Sequence, residues 1–356
     1  MRYQPHNYQA QATRFIEEHP EAAILLGMGL GKTIITLTAI WGLLLDTFEA
    51  RRVLVIAPLR VARDTWPTEV LKWDHLDGLT VAVAVGTRQQ RLNALAAGAM
   101  VTVINRENIP WLVKTLGGQW PFDMVVIDEL SSFKNHKAAR FKALSSVRPH
   151  IQRIVGLTGT PAANGLEDLW AQFKLLDGGE RLGRYITRYR ERWFTPDRRN
   201  GMQVFSYKPR PGAEAEIYEA IGDITLSMKT TDYLDLPELT ITTVPVELNP
   251  KERNVYERMV RDMVVDLDGV VVDAVNAAAL SGKLLQLASG AVYNETGQTI
   301  EVHERKLDAL EDLLEAANGQ SLLVAYWHKH DAARIQACFP QARQLQTTDD
   351  FEAWNA

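Results

Sequence analysis

Short runs of Val, Ile, Leu and Ala alternate with helical patterns over the first part of the chain, up to residue 160. Several runs are apolar at every position, which is typical of strands covered on both faces. The segments between them, such as 61–74 and 88–98, have the spacing of helices. This alternation predicts an α/β fold with a mostly parallel sheet. The predicted strands are 22–26, 52–58, 79–86, 99–105, 122–129 and 153–160.

The pattern changes after Pro161. Residues 164–194 predict helices rich in aromatic residues and arginine, and residues 196–212 predict a loop or hairpin. Two later apolar runs, 239–249 and 320–327, predict a strand that leaves the first lobe and a buried strand. The remaining segments have helical patterns, at 250–267, 274–290, 303–317 and 329–339.

These elements predict two domains. Residues 1–240 form a complete α/β lobe with a helical extension at 164–212, and residues 241–356 form a linker, a helical insertion and an incomplete second lobe. The second part has material for only one or two strand–helix units, so we expect either a small lobe or a truncated chain.

Composition adds limits to this organisation. The chain has 356 residues with 46% hydrophobic and 23% charged positions, which is typical of a soluble globular protein of two lobes. Its net charge of −5 excludes a positive potential over the whole surface, so binding of a polyanion would require a local basic patch. The single cysteine, Cys338, cannot form an internal disulfide, and no apolar run is long enough to span a membrane. We therefore expect a cytoplasmic protein without a membrane partner.

A glycine-rich turn separates the first predicted strand from a helical pattern, in "AAILLGMGLGKTIITLTAI". Such a turn aims backbone N–H groups and a helix N-terminus at an anion. Lys32 can reach β- and γ-phosphates, and the Thr33 hydroxyl can hold Mg²⁺. Leu26 replaces the first glycine of the strict phosphate-loop pattern, so a glycine-rich turn with an exposed lysine is the alternative. The candidate nucleotide contacts are Met28, Gly29, Leu30, Gly31, Lys32 and Thr33.

Asp128 and Glu129 end the strand predicted at 122–129. In phosphate-loop enzymes the strand beside the loop delivers an aspartate to the metal, and the adjacent glutamate can polarise the attacking water. Successive side chains on a strand point to opposite faces, so both can serve one site only where the strand ends and turns. Because acidic residues commonly end strands, the pair becomes informative only together with Lys32 and Thr33.

Thr158 and Thr160 end another apolar strand, in "LTGTP". Their hydroxyls could bond to the two carboxylates. Thr160 before Pro161 also has the pattern of a helix N-cap, and both interpretations can hold together.

The order of these motifs resembles that of the DNA-translocating ATPases of helicase superfamily two, in the Swi/Snf-like branch, and most closely its compact phage and bacterial members. The resemblance covers nearly the whole chain, although the family's first motif usually begins Asp-Glu where this chain has Leu26 and Gly27. The matching segments are "YQPHNYQ" (3–9), "MGLGKT" (28–33), "VLVIAPLRVARDTWPTEV" (53–70), "DELSSFKN" (128–135) and "LTGTPAANGLEDLW" (157–170).

This resemblance implies RecA-like lobes and ATP hydrolysis coupled to movement on DNA. Lys32, Asp128 and Glu129 would be catalytic, and Thr33 and Asp128 would hold Mg²⁺. It also implies that Gln9 contacts adenine and that Thr158 and Thr160 couple hydrolysis to the DNA.

The resemblance leaves two functions open. The family's last two motifs, which include its arginine finger, should follow the final helix, and the sequence ends first. We therefore expect either a motor completed by a missing C-terminal segment or a protein partner, or a nucleotide-gated DNA-binding module with little ATPase activity. An arginine finger contributes about 10³–10⁵ in rate in other NTPases.

The most basic stretch of the chain is 181–212, where arginines alternate with aromatic residues. Guanidinium groups can bind phosphates while rings pack or stack, so this stretch is a candidate DNA track. The alternative is a solvated helix whose aromatic side packs on the lobe. The family adds Arg60, and backbone contacts predict sequence-independent binding, with duplex DNA favoured by resemblance alone. The candidate DNA contacts are Arg60, Arg184, Arg188, Arg192, Arg198 and Arg199.

Overall fold

A computed structural model of the chain describes residues 1–162, 165–200, 203–228, 233, 241–267, 269–317 and 320–355. The chain divides into two compact units, Met1–Pro237 and Glu238–Ala356.

The first unit is built on a parallel sheet. It contains β1 Glu21–Leu26, β2 Val53–Ala57, β3 Val81–Ala84, β4 Val101–Asn105, β5 Met124–Asp128, β6 Arg153–Thr158 and β9 Thr225–Met228. These seven strands lie in the order β3-β4-β2-β5-β6-β1-β9. Every neighbouring pair is parallel. The predicted α/β class and the six strands predicted in this part of the chain are confirmed.

The helices of the first unit connect these strands. They are α1 Asn7–Glu18, α2 Lys32–Trp41, α3 Trp66–Lys72, α4 Arg88–Ala96, α5 Ile109–Leu116, α6 Ala139–Val147, α7 Glu167–Asp177, α8 Ile186–Trp193 and α9 Ala213–Ala220. A π-helical turn extends α2 over Gly42–Asp46, and another, Val61–Thr65, leads directly into α3. After α8 the chain forms an antiparallel hairpin of β7 (Phe194–Asn200) and β8 (Gln203–Pro209), which agrees with the hairpin alternative for this segment.

The apolar strands are explained by burial on both faces. In β2, Val53 and Val55 belong to a core cluster that includes residues of α1, α2 and α3. Leu54 and Ile56, on the opposite face, belong to a second cluster with residues of α5 to α9. Because helices cover both sides, a strand in the middle of this sheet has no polar face.

The second unit combines helices with two short hairpins. Its helices are α10 Pro250–Asp262, α11 Ala277–Ser289, α12 Arg305–Ala316, α13 Lys329–Cys338 and α14 Thr348–Asn355. The hairpins pair β10 (Val264–Leu267) with β11 (Val270–Asp273), and β12 (Ala291–Tyr293) with β13 (Thr299–Glu301). Met259, Val265, Val272, Leu287 and Val292 form the centre of its small core.

Two strands predicted for this part of the chain are not formed. Residues 320–327 have no strand pairing, and neither do residues 241–249, the described part of the other predicted strand. Leu323 is 70% exposed and Trp327 is 87% exposed. The sheets in the described part of this unit are two-stranded local hairpins, and neither pairs with the apolar run at 320–327.

The helix predicted over 250–267 also ends early. Met263 adopts a left-handed backbone with φ of 56°, which ends α10 at Asp262. The β-branched residues Val264 and Val265 then enter β10. Among the described residues, no helix is both long and apolar enough to cross a bilayer.

Candidate active site

The glycine-rich turn lies between β1 and α2. Gly29 and Gly31 have φ values of 80° and 78°, which only glycine adopts without strain. Within the described part of the chain, the N–H groups of Gly29, Gly31 and Lys32 donate to no protein acceptor. The N–H of Gly27, in contrast, donates to the Met228 carbonyl over 3.3 Å and extends the pairing of β1 with β9. The turn therefore keeps amides at the start of α2 that an anion can use.

The Lys32 ammonium is held close to the same turn. Its Nζ donates to the carbonyl oxygens of Leu26 and Gly27 over 2.9 and 3.1 Å. Burial lowers the pKa of Lys32, while the charges of Asp128 and Glu129 act in the opposite direction. The ammonium and the two carboxylates are thus close enough to interact, although they lie nearly a hundred residues apart in the chain.

Asp128 is the last residue of β5, and its carboxylate is mostly buried. The indole Nε1 of Trp66 donates to its Oδ2 over 2.9 Å. Burial raises the pKa of Asp128, and the Trp66 hydrogen bond partly offsets that change. The prediction that the strand beside the loop carries this aspartate is wrong, because β6 lies between β5 and β1. The end of β6 supplies Thr158 in the intervening position.

Glu129 turns the chain at the end of β5. Its backbone is left-handed, with φ and ψ both at 65°, which is uncommon for a residue other than glycine. This is the turn that the two carboxylates need if they are to serve one site. The Thr158 hydroxyl donates to Glu129 Oε1 over 2.8 Å, and the Ser131 hydroxyl donates to the same oxygen. The side chain is therefore held from two directions.

The predicted bond between the "TGT" segment and the carboxylates is formed through Thr158. The N–H of Thr160 donates to the Thr158 hydroxyl oxygen over 3.2 Å, which ties the two threonines together. The alternative role of Thr160 as a helix N-cap is wrong, since α7 begins only at Glu167.

Gln9 lies against the glycine-rich turn. Its Oε1 accepts a hydrogen bond from the His6 N–H over 3.0 Å at the start of α1. Its Nε2 is so close to Gly31 that a Cβ placed on Gly31 would lie 2.7 Å away. Met28, at the tip of the turn, is 84% exposed.

The oxygen donors at this edge of the sheet suit Mg²⁺. Hydroxyl and carboxylate oxygens, as on Thr33 and Asp128, are the hard ligands that this cation prefers. In the ranges that the structure describes, no group of three or more His, Cys, Asp or Glu side chains could hold a metal. Mg²⁺ commonly binds through one or two carboxylates together with substrate phosphates, so the donor set fits a cation that arrives with a nucleotide.

The basic stretch presents two different faces. Tyr189 and Trp193 of α8 are buried in the core, as the packing alternative expected. Arg190 pairs with Glu167 over 2.7 Å and lies over the Tyr207 ring. Among the described side chains of this stretch, the exposed arginines are Arg184, Arg188, Arg192, Arg198 and Arg210.

The two remaining candidate DNA contacts are Arg60 and Arg199. Arg60 is exposed and immediately precedes the π-helical turn Val61–Thr65. Arg199 belongs to β7, and its side chain lies outside the described part of the chain.

A family model described as the SNF2-related domain matches residues 8–307. The chain belongs to this SNF2-related family. A phage protein, putative protein p41 of Acyrthosiphon pisum secondary endosymbiont phage 1, is 38% identical over 361 aligned residues. That alignment covers 99% of this chain and 78% of the phage protein. The predicted membership of the Swi/Snf-like branch is thereby confirmed.

Other proteins that this chain resembles are longer. An uncharacterised ATP-dependent helicase of Mycoplasma genitalium is 23% identical over 96% of the chain, which spans 32% of that protein. The solved SWI2/SNF2 ATPase core of Sulfolobus solfataricus in complex with dsDNA has a TM-score of 0.53 and 20% identity. That match covers 89% of this chain and 65% of the archaeal chain. This likeness confirms the predicted α/β fold of the RecA-like type.

Two residues with clear contacts at the site were missed from the sequence. In the sequence, Trp66 belongs to the matching segment 53–70 and Ser131 to the matching segment 128–135, and neither carries a predicted role. The Trp66–Asp128 hydrogen bond joins residues 62 positions apart, so no local pattern indicates it. Ser131 stands two positions after Glu129, and this short spacing was the one available signal.

Proposed function

We propose that this SNF2-related chain is an ATP-driven motor that moves along duplex DNA without sequence preference. The observation that supports the proposal is that the glycine-rich turn, the Lys32 ammonium and the two carboxylates lie at one edge of the sheet. The glycine-rich turn keeps its amides available, and Lys32 interacts electrostatically with both Asp128 and Glu129. This combination is what phosphoryl transfer requires of a protein, namely positioning and charge stabilisation.

Each residue of the site has a proposed role. The N–H groups of Gly29, Leu30 and Gly31 and the Lys32 ammonium bind the phosphates, with Met28 and Gln9 placed for the rest of the nucleotide. Thr33 and Asp128 would hold Mg²⁺, which would supply positive charge to the phosphates. Glu129 orients the attacking water and accepts its proton. Thr158, which donates to Glu129, and Thr160 link this carboxylate to the DNA-binding elements.

DNA binding is proposed for the exposed arginines of the basic stretch together with Arg60. Arg188 and Arg192 stand four positions apart in α8, and Arg184 is exposed shortly before that helix. Arg198 and Arg199 are residues of β7. Phosphate contacts of this kind position a duplex without reading its bases. The relative solved with dsDNA supports the choice of duplex.

The test is the rate of ATP hydrolysis with and without duplex DNA. We expect DNA to stimulate turnover by the unaltered chain. Glu129→Gln should retain nucleotide binding and lose roughly 10²–10⁴ in rate, the usual contribution of a general base. Lys32→Ala should weaken nucleotide binding itself. Glu180→Gln, which removes one carboxylate from an exposed turn elsewhere in the unit, is the charge-matched control and should retain turnover.

The outcomes separate the proposal from its alternative. Turnover that is unchanged in both Lys32→Ala and Glu129→Gln would show that the site is wrongly assigned. Background turnover combined with a DNA affinity that changes on adding nucleotide would instead favour the nucleotide-gated DNA-binding module.

A further inference from the structure

Trp66 is a buried tryptophan whose polar atom is used at the candidate active site. The side chain has no exposed surface and packs in the core cluster on the face of the sheet that α2 and α3 cover. Its indole Nε1 nevertheless reaches the Asp128 carboxylate, over 2.9 Å to Oδ2. A buried indole N–H normally finds a partner, but here the partner is the carboxylate proposed to hold the metal.

The direction of this hydrogen bond is fixed by packing. Trp66 is the first residue of α3, directly after the π-helical turn Val61–Thr65, and its ring cannot rotate without displacing core side chains. Asp128 is fixed at the end of β5, a strand that pairs with β2 on one side and β6 on the other. With Oδ2 held by Trp66, the carboxylate has one orientation, and its other oxygen is presented in one direction.

We propose that Trp66 is a positioning residue that orients the Asp128 carboxylate for its metal ion. This inference rests on the proposed function, since it assumes that Asp128 serves Mg²⁺. Groups that hold a metal ligand in place commonly matter almost as much as the ligand, and their loss typically costs 10–100-fold in metal affinity or activity. Trp66 reaches no phosphate in this role and acts only through Asp128.

The first unit contains a matched control. Trp193 is also buried, and its Nε1 also donates to a carboxylate, that of Glu216 in α9, over 3.0 Å. Trp66→Phe and Trp193→Phe therefore remove the same N–H donor and the same ring volume from two buried sites. Only Trp66 contacts the candidate metal ligand.

The experiment measures Mg²⁺-dependent nucleotide binding without turnover. A fluorescent N-methylanthraniloyl derivative of AMPPNP, a non-hydrolysable ATP analogue, is titrated with the full chain in EDTA and at increasing Mg²⁺. For Trp66→Phe we expect unchanged binding in EDTA and a rise of roughly 10–100-fold in the Mg²⁺ concentration at half-saturation. Trp193→Phe should match the unaltered chain. Because Trp66→Phe could fail to fold, β-(3-benzothienyl)alanine incorporated at position 66 provides the same ring shape without the N–H and should give the same rise.

Three results would overturn the proposal. One is an unchanged Mg²⁺ dependence in both position-66 variants, and another is an equal change in Trp193→Phe. The third is a parallel loss of binding in EDTA and in Mg²⁺, which would make Trp66 a packing residue. An unaltered chain that gains no affinity from Mg²⁺ would refute the metal site itself, and that result is recognisable before any variant is made.

Discussion

At the scale of single residues, Glu129 is the most constrained part of the candidate site. A left-handed backbone at a residue with a side chain costs about 1–3 kcal/mol and persists only where the surroundings hold it. Here the hydroxyls of Thr158 and Ser131 both donate to Oε1. A glycine would adopt this backbone with less strain, so the side chain itself explains why a glutamate stands at this turn.

Removing one of these donors should slow the chemistry. In Thr158→Val the hydroxyl that donates to Glu129 is replaced by a methyl group in a fully buried position. A hydrogen bond to a charged group contributes about 1.5–3 kcal/mol, so we expect kcat to fall roughly 10–100-fold while KM for ATP changes little.

Steady-state ATPase kinetics check this prediction, with Thr158→Ser as the variant that keeps the hydroxyl. An unchanged kcat in Thr158→Val, or an equal loss in Thr158→Ser, would show that the loss of this hydrogen bond does not explain the effect.

Sequence reasoning named those residues of the candidate site whose signals are local. Lys32 and Thr33 follow a glycine turn directly, and Asp128 and Glu129 stand at the end of an apolar strand. The contacts of Trp66 with Asp128 and of Thr158 with Glu129 cross 62 and 29 positions. Such contacts depend on strand order and side-chain direction, which a single sequence does not provide.

At the scale of elements, α8 buries its aromatic residues and exposes two of its arginines. Tyr189 and Trp193 are buried, while Arg188 and Arg192 stand four positions apart and are exposed on one helix face. The mixture of arginine and aromatic residues in the sequence suggested rings available for stacking. In the folded unit, most of the aromatic side of the helix belongs to the core.

Two exposed arginines of α8 should contribute to DNA affinity. Removing both in Arg188→Ala/Arg192→Ala should weaken binding to duplexes of different sequence by the same factor. It should also reduce the salt dependence, with the slope of log K against log salt falling by about 2. Fluorescence anisotropy over a salt series measures both quantities.

The control for this pair is Arg51→Ala/Lys114→Ala, which removes equal charge from exposed positions leading to the amino-terminal ends of strands. A similar loss of affinity in the control would assign the effect to net charge and not to α8.

Arg148 connects two elements of the first unit, α7 and β1, through hydrogen bonds. Its guanidinium donates to the Leu175 carbonyl near the end of α7 over 2.8 Å and to Glu21 at the start of β1 over 2.7 Å. Arg148→Ala leaves the Glu21 carboxylate and these carbonyls without their shared donor. We expect the free energy of unfolding of the first unit to fall by about 3 kcal/mol, measured by urea denaturation.

Arg63→Ala, which removes an exposed partner of Asp64, should change this free energy by about 0–1 kcal/mol. Equal free energies of unfolding for the two variants would show that the Arg148 hydrogen bonds do not stabilise the first unit.

Sequence reasoning predicted best the strands of the first unit whose two faces are both covered by helices. Six strands of the first unit were predicted because their largely apolar runs reflect burial on two faces, whereas β9, an edge strand of the same sheet, was not predicted. The run at 320–327 has the same composition but no pairing, and Trp327 is largely exposed. Composition therefore indicates that a segment can be a strand, whereas pairing depends on an adjacent strand.

At the scale of the whole molecule, an acidic chain carries a local basic surface. The net charge is −5, yet Arg184, Arg188, Arg192 and Arg198 are exposed within one stretch of the first unit. A motor that moves along DNA needs attraction that is local and independent of sequence. The parallel sheet brings the glycine-rich turn and the pair Asp128 and Glu129 to its carboxyl edge, which is where open α/β sheets bind ligands.

The central claim is that the turn at Gly29–Thr33 and the carboxylates of Asp128 and Glu129 bind one magnesium–triphosphate. The most direct test is a crystal structure of Glu129→Gln with Mg²⁺ and ATP. We expect the β- and γ-phosphates on the amides of the turn, Lys32 moved from the Leu26 and Gly27 carbonyls to the phosphates, and the metal beside Thr33 and Asp128. A triphosphate bound elsewhere, with Lys32 still on those carbonyls, would contradict the account.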